Sequence, residues 1–144
     1  DDIAAIKQGL RDGTIDAIAT DHAPHPPAAK EQPLDQAPPG MLGLQTALPL
    51  ALGELGLDLA QTVALLSWRP AAIAGVADRH GGPVQPGAAA NLTVFDPDAS
   101  WTVVPDALAS KSRNTPYAGR QVRGQVRHTV FGGVAVVIDG EAQR

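Results

Sequence analysis

The chain has 144 residues, a formal net charge of −4 and 18% charged residues, a balance that leaves no basic field to hold nucleic acid. No apolar run approaches the roughly 20 residues that a membrane-spanning helix needs, and no signal-like start is visible. With no cysteine there is neither a disulfide framework nor a thiolate metal site, which agrees with a cytoplasmic protein, and with 3% aromatics the core has to be built from Ala, Leu, Val and Ile.

Taken in chain order, Ile3, Ala4, Ile6 and Leu10 form a helical stripe that Gly13 closes as a C′ glycine. The chain enters this helix directly at Asp1, without a Met, which points to a piece of a longer polypeptide with an N-terminal portion outside it. Asp16 to Thr20 reads as a short buried strand, so helix and strand form one unit of a parallel α/β sheet. Residues 24–39 hold six of the 13 prolines, at 24, 26, 27, 33, 38 and 39. Such a segment is predicted to be neither helix nor inner strand but a long loop, and long ordered loops are usually functional lids.

Helical spacing resumes over 41–55 through Leu44, Ala47, Leu48 and Leu52, despite Pro49. Asp58 is a suitable N-cap for a helix over 59–67 that presents Leu59, Val63 and Leu66 on one face. Pro70 starts a short helix through Ala74, which Gly75 ends. Near residue 78 the texture turns to β, with strands predicted at 92–95, 101–104, 126–131 and 134–138. Gly132-Gly133 between the last two is a two-residue hairpin signal. The expected boundary lies at about 76–82, with a helical and α/β part at 1–76 and an all-β part at 77–144.

Chemistry concentrates in Thr20-Asp21-His22-Ala23-Pro24-His25, where the apolar strand ends. A carboxylate and imidazoles at a strand's C-terminal edge are placed as α/β proteins place metal ligands and proton carriers. Asp21 can ligate a metal and move a proton, or it can simply close an Asx-turn. His25 can bind an anionic group or a metal, or be a loop histidine bonded to backbone. His22 points away from Asp21 in an extended chain and reads as structural. Pro39-Gly40 can offer the Gly40 amide to a ligand, or be an ordinary turn before a helix. His80, His128 and the scattered Arg113, Arg120, Arg123 and Arg127 read as linker, strand and solvated-face residues.

The run Asp12 to His25 resembles the last catalytic segment of bacterial dihydroorotases in the amidohydrolase superfamily. Ala37-Pro38-Pro39-Gly40 and Gly43-Leu44-Gln45-Thr46-Ala47 resemble the segment that follows in that family. Gly87 to Asp96 is similar to a β-domain strand of amidohydrolases. Ser110-Lys111-Ser112-Arg113-Asn114-Thr115-Pro116-Tyr117 and Gly124-Gln125-Val126 resemble the dihydroorotase C-terminal signature. Gln45, Leu34 and Asn91 stand where Glu, Phe and Asp are common.

The resemblance implies the last strand and helices of a (β/α)₈ barrel, followed by part of a small β-sandwich domain. It implies a reversible, zinc-dependent ring closure of N-carbamoyl-L-aspartate to dihydroorotate in pyrimidine synthesis. Asp21 is then the acid that ligates zinc (one or two ions) and serves as general base and general acid. His25 is the histidine that binds the substrate carboxylate, and Pro39 and Gly40 contact the ring through backbone groups. Most metal ligands in that family come from earlier strands, so the piece alone is expected to bind zinc poorly and to be inactive. Another cyclic amidohydrolase (an allantoinase or dihydropyrimidinase) is one alternative. A non-catalytic dihydroorotase-like partner of aspartate transcarbamoylase is another, and homo-oligomeric assembly is left open.

Overall fold

A computed structural model describes residues 1–143. Helix α1 (Asp2–Asp12) begins at Asp1, whose carboxylate accepts from the Ile3 amide at 3.3 Å, and ends at Gly13 with φ 84°. Its Leu10 packs with Ala51, Leu55 and Leu65, against which Ile15, Ile18, Leu57 and Leu66 lie. Arg11 reaches across to cap the carbonyl of Leu55, with Nε at 3.2 Å and Nη2 at 2.7 Å. This core is aliphatic, as the composition demands.

The expected strand at 16–20 is not in any ladder. A parallel strand exists only beside another, and no strand among the described residues lies next to it; its recorded backbone anchor is Ile18 N–H to Leu65 C=O at 2.8 Å. The proline loop also departs from expectation, because Pro27–Lys30 forms a one-turn helix, α2. Pro27 sits at the start of that turn, where its missing N–H costs nothing.

Helix α3 (Leu44–Glu54) runs through Pro49. Helix α4 (Leu59–Leu66) starts in a capping box, Asp58 accepting from Gln61 N–H at 2.7 Å while the Gln61 side chain accepts from Asp58 N–H at 3.3 Å. Its buried residues are Thr62, Ala64 and Leu65, whereas Leu59 is 46% exposed, so the inward face is rotated from the one predicted. Helix α5 spans Trp68–Ile73, starting two residues before Pro70, and Gly75 (φ 69°) follows its end.

Between Ile73 and Leu92 there is no helix or strand. The β part is one antiparallel sheet in the order β1 (Leu92–Thr102), β2 (Gln121–Phe131), β3 (Val134–Ile138), β4 (Glu141–Ala142). Two strands expected near 92–95 and 101–104 are one, β1, with an irregularity between Asp96 and Ser100. Asp96 accepts there from Asp98 N–H at 2.9 Å and Ala99 N–H at 3.1 Å. Those amides, chiefly that of Asp98, with Arg127 adding less, hold the Asp96 carboxyl below the usual range. Strand β2 starts at Gln121 rather than 126, since residues 121–125 pair with 96–102 across the irregularity. Gly132 and Gly133, at φ 58° and 84°, make the expected hairpin turn.

Helix α3 packs on β2 at Gly124, where φ is 104° and a Cβ would come within 2.5 Å of Leu52 Cδ1. Ion pairs hold the same junction, because Glu54 at the end of α3 meets both Arg120 and Lys7. Arg120 and Arg123 are exposed and Arg113 and Arg127 half-buried, in keeping with a solvated face, and the last three pair with Asp98, Asp106 and Asp96 respectively. His80 stacks on Phe131 with ring centroids 6.1 Å apart. Asn91 uses both ends of its amide, donating to Arg79 C=O at 2.8 Å and accepting from Gly132 N–H at 2.7 Å, a pairing that an ionised Asp could not complete.

The described chain exposes 9402 Å², whereas a folded monomer of 14.8 kDa exposes about 7,000 Å². Large apolar side chains contribute to the excess, including Ile3 and Ile6 on α1, Leu44 on α3 and Ile73 on α5. No helix among the described residues is long and apolar enough to cross a membrane.

Candidate functional site

Residues 20–25 run extended past Met41, with a parallel bridge between His22 and Met41 and Ala23 N–H donating to Met41 C=O at 2.9 Å. That pairing brings Asp21 and His25 against Pro39 and Gly40 across a loop of more than a dozen residues. Gly40 adopts φ 99°, and a Cβ on it would stand 2.6 Å from Ala23 Cβ, 3.8 Å from Asp21 Oδ2 and 4.0 Å from His25 Nε2. The carboxylate and the imidazole therefore both stand at ordinary contact distance from one point beside the Gly40 Cα, a point that Ala23 closes to any side chain.

His25 is half-buried, and its Nε2 lies 3.1 Å from Pro39 C=O, which it bonds as the N–H donor. Nδ1 is then the nitrogen left for another partner. Asp21 is exposed. His22 turns inward to the backbone, its Nδ1 accepting from Gly43 N–H at 3.2 Å and Leu44 N–H at 3.5 Å, which is a structural role at the start of α3.

Two residues of this site are not legible as site residues in the sequence. Lys30, closing α2, donates its ammonium to Pro38 C=O at 2.8 Å and Gly40 C=O at 3.0 Å. With His25 on Pro39, three consecutive carbonyls of the 38–40 segment are held from the loop's other limb. Asn114, from the connection between β1 and β2, accepts from His25 N–H at 3.1 Å and donates to Ala23 C=O at 2.8 Å, while its own carbonyl accepts from Leu42 N–H at 3.1 Å. The one hint of Lys30 in the sequence is a lone cation inside a proline loop.

Among the described residues no three His, Cys, Asp or Glu side chains converge as a metal site. Asp21 fits as one oxygen donor, exposed at the rim of the loop.

The sequence profile described as the Amidohydrolase family matches residues 1–136. A protein named dihydroorotase from Geobacter metallireducens is 47% identical over 139 residues, covering 94% of this chain and 32% of that protein. A dihydroorotase from Streptomyces coelicolor is 45% identical over 144 residues, covering 97% and 33%. The chain thus spans about a third of the length of the curated relatives it matches. Among solved structures, the L-hydantoinase (dihydropyrimidinase) from Arthrobacter aurescens superposes with a TM-score of 0.85 at 30% identity, covering 96% of this chain and 32% of that one. The D-hydantoinase from Thermus sp. gives a TM-score of 0.87 at 22% identity, covering 97% and 32%. The fold is accordingly the terminal part of a barrel hydrolase of that kind with its adjoining sheet.

Proposed function

The chain belongs to the amidohydrolase family, and from that premise we propose that it is the C-terminal third of a dihydroorotase, interconverting N-carbamoyl-L-aspartate and dihydroorotate in pyrimidine synthesis. The single observation that carries this reading is the approach of the Asp21 carboxylate and the His25 imidazole to the same face of Gly40. The identities of 45–47% to proteins named dihydroorotase support it, against 22–30% to the hydantoinases. Residues 1–76 would close the barrel and 77–144 would belong to the β domain. The surplus surface on α1, α3 and α5 is what a barrel wall leaves bare when its neighbours are outside the chain.

A zinc site, of one or two ions, would take Asp21 as one ligand. When bound, such an ion supplies an acidified water and a Lewis acid for the ring amide. Asp21 accepts the proton of the attacking water and passes it to the departing ring nitrogen, which requires only that one carboxylate reach both in turn. His25 holds the substrate carboxylate. Because its Nε2–H is engaged with Pro39, Nδ1 is the ring nitrogen left to face that carboxylate. The Gly40 amide adds a donor to the ring, and the loop over 26–38 covers it and excludes water.

The test is an assay of the full-length polypeptide with dihydroorotate, allantoin and dihydrouracil. Dihydroorotate should show the highest kcat/KM, and Asp21→Asn should lower its turnover by at least about a hundredfold. Preference for either other ring, or near-normal turnover by Asp21→Asn, overturns the reading. No turnover of any ring, together with loss of an upstream His-x-His pair, would point to the non-catalytic partner of aspartate transcarbamoylase.

A further inference from the structure

Pro24 and Pro26 flank His25, so the backbone around this residue has few groups with which to fix itself, and the His25 N–H is the lone amide proton between Ala23 and Ala28. That proton goes to Asn114, whose Oδ1 accepts it at 3.1 Å. The same side-chain amide donates to Ala23 C=O at 2.8 Å, two residues earlier. One carboxamide therefore does for residues 23 and 25 what the peptide group of a neighbouring strand would do. Its main-chain carbonyl takes Leu42 N–H at 3.1 Å, on the opposite limb that carries Pro39 and Gly40. Asn114 thus ties both limbs of the site to the connection between β1 and β2, the limb of Ala23 and His25 across 91 and 89 residues of sequence.

We propose that Asn114 is the positioning residue for His25: it sets where the imidazole stands and thereby how tightly the substrate's anionic group is held, without touching substrate itself. The inference rests on the proposed role of His25 in binding that group. The side chain of Asn114 is matched to the task because it must donate and accept at once, which neither Asp nor Leu can do. An imidazole placed through its own backbone binds ground state and transition state alike, so a shift shows in KM before kcat.

The experiment uses the full-length polypeptide in four forms: wild type, Asn114→Ala, His25→Ala and the double variant. Asn114→Ala should raise KM for dihydroorotate about three- to tenfold with kcat within about twofold, the scale of one or two lost hydrogen bonds. In the His25→Ala background the same change should add less than about twofold, because the residue it positions is gone. Equal penalties in the two backgrounds would show a role independent of His25 and overturn the proposal. Deuterium uptake in a peptide spanning 24–27 supplies a second readout, since His25 is its sole exchanging amide. Asn114→Ala should speed that exchange about three- to tenfold and leave the amides near Leu65 unchanged. An unchanged His25 rate overturns the proposal. Should the wild type turn over no dihydroorotate, the proposed function falls, while the exchange measurement still decides whether Asn114 holds His25.

Discussion

Replacing Gly40 by Ala tests the geometry of the site at its narrowest point. Two costs follow from the structure. At φ 99° an L side chain is strained by about 1–2 kcal/mol, and the added methyl would lie 2.6 Å from Ala23 Cβ. Ordinary carbon contacts are about 3.5–4.0 Å, so the overlap is about 1 Å, and Ala23 has no χ angle with which to yield. The backbone must move instead, carrying Asp21 and His25 away from their common point over residue 40. A displacement of about 1 Å at reacting groups can cost about a hundredfold. Gly40→Ala in the full-length polypeptide should therefore lower kcat/KM for dihydroorotate by about that factor, with the circular dichroism spectrum unchanged. Ala23→Gly removes the opposing methyl. The double variant should recover about tenfold of the loss and retain about a tenfold deficit from the backbone strain. If Gly40→Ala stays within about threefold of wild type, or if Ala23→Gly rescues nothing, the steric reasoning fails.

Lys30→Met keeps the aliphatic stem of the side chain but removes both carbonyl contacts, each charge-assisted and worth about 1.5–3 kcal/mol. KM for dihydroorotate should rise about tenfold or more, and thermolysin should cut sooner within 26–40; an unchanged KM and cleavage rate would show that the ammonium holds nothing. Glu54 is held below the usual carboxylate range by the hydrogen bond from Arg120 first and that from Lys7 next. Its contribution to stability is thus fully present above the unfolded value of 4.5 and is lost as pH falls through the lower folded value. The Tm gap between wild type and Glu54→Gln should be open well above the unfolded value and should close as the pH falls below the folded one; a gap of constant size would refute the linkage. The pair is exposed, so added salt should narrow the gap.

Features set by a few neighbouring residues were legible in the sequence. The Gly13 cap of α1, the Asp58 start of α4 and the Gly132-Gly133 hairpin are local devices, each with a chemical reason for its residue types. Asp139-Gly140 is an equally plain turn signal, at φ 50° and 83°, and it folds β4 back on β3, yet β4 is only two residues long and carries no alternation of its own. What could not be read locally depends on neighbours in space. The extended segment 16–20 has strand composition but no partner strand among the described residues. The inward face of α4 follows from where α1 and α3 lie rather than from the helix's own period. Asp96-Pro97 looks like the end of a strand, but the Asp96 carboxylate satisfies the amides of 98 and 99 and lets β1 continue beyond the irregularity.

The site divides along the same line. Asp21 and His25 were legible because a carboxylate and an imidazole stand together in one short extended hexapeptide, Thr20 to His25. Their placement is another matter. Gly40 lies on the far limb of a long loop, Lys30 bonds carbonyls 8 and 10 residues away, and Asn114 acts over 89 and 91 residues. None of these contacts has a local periodicity, so no pattern reading can find it. Each nevertheless obeys a local rule once the chain is folded. The carbonyls of Pro26, Pro27 and Pro33 accept backbone N–H groups of their own turns, whereas those of Pro38, Pro39 and Gly40 are met by the Lys30 and His25 side chains and the His25 N–H by that of Asn114. The prolines keep 24–39 out of a ladder, and Lys30 and Asn114 bond the stretches that its own turns leave over. The rigidity of the site is carried by side-chain amide and ammonium groups where a sheet would have used backbone.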